Sequence, residues 1–146
     1  MTLSETATRA RKHIVVGIDG SPQSVDVLRW AVEQAKATAA DITAVMAWQA
    51  TIGYGYVDVQ SVRDSAQKSL QDVVNTVTEE EVSVTSEFIE GYPSTVLLEA
   101  SQNADLLVVG NRGHGGFTGM LLGSVSTQCV HHAGCPVVVI RSSATK

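Results

Sequence analysis

Five short runs rich in Val, Ile and Leu, at residues 13–19, 42–48, 82–89, 105–110 and 136–141, alternate with stretches whose apolar residues recur at helical spacing. Several of these runs, among them LLVVG from Leu106 and PVVVI from Pro136, lack the every-second-residue pattern of a half-exposed strand. Strands covered on both faces read this way. Between them, Val27, Leu28, Ala31, Val32 and Ala35 form one helical stripe. Val62, Ala66, Leu70, Val73, Val74 and Val77 form a second, which predicts the longest helix. Ser21-Pro22 and Pro93-Ser94 mark helix starts, and Gly134 followed by Pro136 marks a helix stop before the last strand. Strand and helix therefore alternate from end to end. With right-handed crossovers this predicts a doubly wound α/β fold, one five-stranded parallel sheet with helices on both faces, for which the order 3-2-1-4-5 is taken. Residues 49–56 (QATIGYGY) are the least regular stretch and are expected to form a mobile loop after the second strand.

With 146 residues, 44% of them apolar and 17% charged, the chain has enough apolar surface for a core without metals or disulfides. A single soluble domain over residues 13–142 is expected, preceded by a loose tail at 1–12. A net charge of -5 argues against broad attraction to nucleic acid or to an anionic membrane, so any bound anion must be held locally. No apolar run approaches the ~20 residues that cross a bilayer. Cys129 and Cys135 match neither a disulfide framework nor metal-ligand spacing, which points to small buried thiols and a reducing compartment, the cytoplasm.

In a sheet of this order, ligands bind where the connections diverge at the carboxyl ends of neighbouring strands, here the first and the fourth. The fourth run leads directly into VVGNRGHGGFTGMLLGSVS (residues 108–126), in which Gly110, Gly113, Gly123 and Ser124 give G-x2-G-x9-G-S between a strand and a helix start. Such a loop can cradle phosphate, because glycines admit a close anion and the first amides of a helix point at its oxygens. Ser124 and Ser126 offer hydroxyls there, and Val125 its N–H. The competing reading is a glycine-rich surface loop; a Walker A motif and an early G-x-G-x-x-G are both absent. Asp19 is expected to end the first strand, where its carboxylate either accepts from a ribose or adenine amino group or serves as a turn-former. It would repel phosphates, which places it at the nucleoside end. Arg112 and His114 are either phosphate donors or solvated loop residues. His131 and His132 are adjacent on the last helix and cannot form an i, i+4 metal pair. No nucleophile-base arrangement can be assembled, and Glu79, Glu80 and Glu81 read as a solvated turn.

VVGIDGS at 15–21, ADLLVVGNRGHGGFTGMLLGSVS at 104–126 and HHAGCPVVVIR at 131–141 strongly resemble the ATP-binding branch of the universal stress protein family. The resemblance implies an α/β sheet of Rossmann-like type, bound ATP or AMP, dimerisation through the last strand, and a role in stress survival rather than metabolic catalysis. It also implies that Ala47 lends backbone contacts to the base, that Gly20 and Ser21 border the ribose, and that Ser126 joins Ser124 at the phosphates. A larger aliphatic residue is common at position 47. Magnesium would accompany ATP, held mainly by the phosphates.

The leading expectation is a nucleotide-dependent regulator. A slow ATPase using Asp19 or His114 to orient water, a cyclic-nucleotide binder and a nucleotide-free dimeric module are the alternatives. An apolar edge strand invites pairing with a second copy, so a two-fold dimer through residues 136–141 is expected independently.

Overall fold

The computed structural model describes residues 11–50, 58–111 and 122–141. Its elements, in chain order, are β1 (Lys12–Gly17), α1 (Gln23–Thr38), β2 (Ala40–Trp48), α2 (Val59–Val77), β3 (Val84–Glu90), α3 (Pro93–Ala100), β4 (Leu106–Gly110), α4 (Ser124–His132) and β5 (Val137–Ile140). The strands form one parallel sheet in the expected order β3-β2-β1-β4-β5, and the alternation of strand and helix accounts for every pair being parallel.

The sheet divides the core in two. Ile14, Val16, Ile18, Ile42, Ala44 and Met46 face α1 and α2, whose Leu28, Ala31, Val32 and Leu70 are almost wholly buried. The alternate residues Val15, Val45, Leu107 and Val109 face α3 and α4, meeting Val96, Leu97 and Cys129. Successive side chains of a strand point to opposite faces, so two-sided burial needs the continuous apolar runs seen in the sequence.

Several boundaries differ from the sequence reading. β1 begins at Lys12, which pairs with Ala40, and Arg11 forms an ion pair with Asp41 at 3.2 Å, so the chain is anchored before residue 13. β1 stops at Gly17 rather than at Asp19; the Ile18 amide still donates to Val45 at 2.9 Å, and the chain then turns through Gly20 at φ 83°. Val82 is buried but lies in a turn, its amide donating to Glu79, and β3 starts only at Val84. α2 is the longest helix, at 19 residues, and Asp58 caps it by accepting from the amides of Gln60 and Ser61. Pro93 opens α3. The Glu79 to Glu81 turn is exposed but tethered: Lys36 of α1 reaches Glu79 at 3.0 Å. Of the segment expected as a mobile loop, residues 49–56, positions 51–56 lie outside the described residues.

Candidate functional site

Two residues past β1, Asp19 Oδ1 accepts hydrogen bonds from the Ser21 amide (2.9 Å), the Ser21 hydroxyl (2.6 Å) and the Ser24 hydroxyl (2.9 Å). The first of these is an Asx-turn, and it bends the chain from β1 into α1. Gly20 is required within it, since φ 83° strains any L side chain. Ser24 is buried and also accepts from the Asp19 amide, so it holds the carboxylate from below while Asp19 itself stays exposed. The turn-forming role considered for Asp19 is thus real. It leaves the carboxylate fixed at the mouth of the crevice.

Asp19 and Gly20 line a cleft of about 530 Å³ together with Met46, Ala47, Trp48 and the first three turns of α2. The helix contributes Ser61, Ser65 and Ser69 at a spacing of four residues, alternating with Val62 and Ala66. Val62 and Ala66 therefore belong to this wall, while the deep core starts at Leu70; Val62 is 39% exposed. Trp48 is braced at the rim, its ring parallel to that of Phe88 with centroids 5.7 Å apart and the Arg63 guanidinium over both. The result is a mostly apolar cleft with hydroxyls along one wall and a carboxylate at its edge.

The second half of the site begins where β4 ends. Asn111 is 5% exposed, and its amide donates to the Ile140 carbonyl at 2.9 Å. Its own carbonyl accepts from the Gly123 amide and from the Ser126 hydroxyl at 3.3 Å, so the two ends of the glycine-rich segment are pinned together. Gly123 caps α4 without a side chain, and the amides of Ser124, Val125 and Ser126 have no carbonyl within the helix to meet. The positive end of the helix dipole thus lies at residues 123–126. Ser124 is exposed, whereas the Ser126 hydroxyl is buried and directed to carbonyl oxygens at the loop base. Gly110 likewise has a structural cause for lacking a side chain: a Cβ there would lie 2.4 Å from Gln23 Oε1.

The two halves are joined by Gln23, the first residue of α1, whose amide group donates to Asn111 Oδ1 at 2.8 Å and to the Ile140 carbonyl at 3.0 Å. Gln23 directly precedes Ser24, the residue that holds Asp19. The turn after β1 and the residue after β4 therefore meet at the divergence of the two strands, the position expected of a ligand site in this topology.

The universal stress protein family model matches residues 10–141 of this sequence. The chain belongs to the universal stress protein family. A curated universal stress protein of Mycobacterium tuberculosis is 37% identical over 134 residues, covering 89% of this chain and 45% of the relative. The chain thus spans about half the length of the curated relatives it matches. Among solved structures, UspA from Lactobacillus plantarum superposes with a TM-score of 0.77 at 23% identity, covering 91% of this chain and 100% of that one. A universal stress protein in complex with cAMP has a TM-score of 0.60 at 26% identity, covering 92% and 100%. Other solved members of the fold hold dAMP and AMP.

Of the residues singled out from sequence, Asp19, Gly20 and Ala47 line the cleft, and Ser21 supports Asp19. Gly110, Gly123, Ser124, Val125 and Ser126 gather around Asn111 and the start of α4. Arg112, Gly113 and His114 lie outside the described residues. His131 and His132 are exposed, with ring centroids 6.3 Å apart, and no metal-binding group of three occurs among the described residues. Sequence reasoning missed Gln23, Ser24, Asn111 and the serine wall of α2. Only the last had a visible signal, three hydroxyls at spacing four beside the apolar stripe.

Proposed function

We propose that this universal stress protein binds an adenine nucleotide and acts as a nucleotide-dependent regulator in stress survival. The base and ribose occupy the cleft beside Asp19, Gly20, Ser21 and Ala47. The phosphates lie against the start of α4, with the Ser124 hydroxyl and the amides of residues 124–126 facing them. Ser126 closes the loop base, Gly113 is the second glycine of the motif, and Arg112 is assigned to the phosphates as a charged donor. The observation that supports this reading is the run of contacts from Asp19 through Ser24 and Gln23 to Asn111, whose carbonyl accepts from the Gly123 amide at the start of α4. Each end suits its part of the ligand: a carboxylate accepts from hydroxyl and amino groups, and a helix start favours anionic oxygens. The cleft volume also falls within the ~300–1,000 Å³ usual for small-molecule sites.

ATP and AMP differ only in how many phosphates extend past the start of α4. With ATP, magnesium would be carried by the phosphates. The relative solved with cAMP favours a cyclic nucleotide as a second ligand for the same cleft. The edge strand β5 is assigned to pairing with a second copy, and the cytoplasm is the compartment this reading takes.

Calorimetric titration tests the site. Wild-type protein is expected to bind ATP, AMP or cAMP, and Gly123→Val to weaken that binding by about tenfold or more, since the new side chain takes the space before the helix amides. Undiminished binding by the variant would overturn the placement of the phosphates.

A further inference from the structure

The geometry points to Gln23 as the residue that positions the phosphate end of the site. This rests on the nucleotide reading above and assigns a part of it that the glycine motif does not contain. Three observations converge. The Gln23 carboxamide donates both to Asn111 Oδ1 (2.8 Å) and to the Ile140 carbonyl (3.0 Å), gripping the end of β4 and the end of β5 together. Gly110 leaves the room that this carboxamide fills, for a Cβ would sit 2.4 Å from Oε1 and 2.9 Å from Cδ. Asn111, so held, presents the carbonyl that fixes the Gly123 amide and the Ser126 hydroxyl, and hence the first turn of α4. Gln23 is a positioning residue: it acts on the ligand through Asn111.

The next residue, Ser24, holds Asp19 by a separate hydrogen bond of 2.9 Å. One helix start thus fixes both ends of the ligand through two adjacent side chains. Loss of the Gln23 side chain should disturb the phosphate end and leave the nucleoside end in place.

The test compares AMP with adenosine, which lacks the phosphate, in calorimetric titrations of wild type, Gln23→Ala, Gln23→Glu and Gly110→Ala. Gln23→Glu keeps the shape but removes the donor, Gln23→Ala adds no charge, and Gly110→Ala pushes a flexible side-chain end out of its place. AMP affinity is expected to fall about tenfold in all three, while adenosine affinity stays within about twofold, two hydrogen bonds being lost in each. Thermal melts of the variants establish that each is folded, and the AMP-to-adenosine ratio is a readout that general destabilisation does not move. A ratio unchanged in the folded variants, or an equal loss for both ligands, would overturn the assignment while leaving the nucleotide reading intact. A wild-type protein that binds neither ligand, or binds AMP no tighter than adenosine, would overturn both.

Discussion

At the scale of single residues, burial and hydrogen bonding decide what each side chain can do. Cys129 has no exposed surface, and burial pushes its thiol up from about 9 to about 11. At pH 8 about one molecule in a thousand carries the thiolate, so Cys129 should resist alkylation in the folded protein and react once it is unfolded. Above pH 9 the unfolded chain loses this proton before the folded one does, so the stability due to the buried neutral thiol is complete below pH 9 and lost as pH rises towards 11. Denaturant midpoints at pH 8 and pH 10.5, for wild type and Cys129→Ala, check this: the wild type should lose more across that interval. The polar residues of the site show why some roles cannot be read from one sequence. Asp19 and Gly20 form a local turn with a local signature, whereas Gln23 acquires its role from Asn111, 88 positions away, and from the missing side chain of Gly110.

At the scale of elements, apolar runs located β1, β2 and β4 because two-sided burial leaves a continuous signal, whereas no residue of β3 or β5 is fully buried. The runs did not locate the ends. Lys12 and Ala40 pair through their backbones whatever their side chains, and Val82 is buried in a turn as deeply as a strand residue. α1 shows a further departure from local preference: its C-cap is Ala39, in the left-handed region at φ 57° and ψ 48°, where glycine is usual. The conformation costs an L residue about 1–2 kcal/mol, part of which glycine returns as unfolded-state entropy. Ala39→Gly should therefore stabilise the protein by about 0.5 kcal/mol, seen as a rise in Tm of about 2 °C. A fall in Tm would show that the residue's side-chain contacts outweigh the strain. The apolar stripe of α2 predicted a helix correctly, but Val62 and Ala66 in its first half line the cleft, Ala66 while also packing against the core. Periodicity marks a face and does not say what covers it.

At the scale of the molecule, alternation and handedness pointed to a parallel sheet covered on both faces, and the expected order 3-2-1-4-5, which the sheet has, put the divergence of connections at β1 and β4. The same order leaves β5 at one edge. The carbonyls of Pro136 and Ile140 accept from β4, so the alternate residues Val137 and Val139 turn their backbone groups outward, and all four strand residues are only half-buried. If a second copy pairs there, sedimentation at micromolar concentration should give twice 15.4 kDa, and Val139→Pro, which removes one outward donor, should give the monomer mass. A wild-type monomer would remove the dimer. The central claim is that the Asp19 cleft and the start of α4 receive one adenine nucleotide. Native mass spectrometry of the purified chain, before and after exposure to AMP and ATP, tests it most directly. One nucleotide mass should be added per chain and be lost in Gly123→Val; a chain that adds no nucleotide mass at millimolar ligand would show that the cleft is not a nucleotide site.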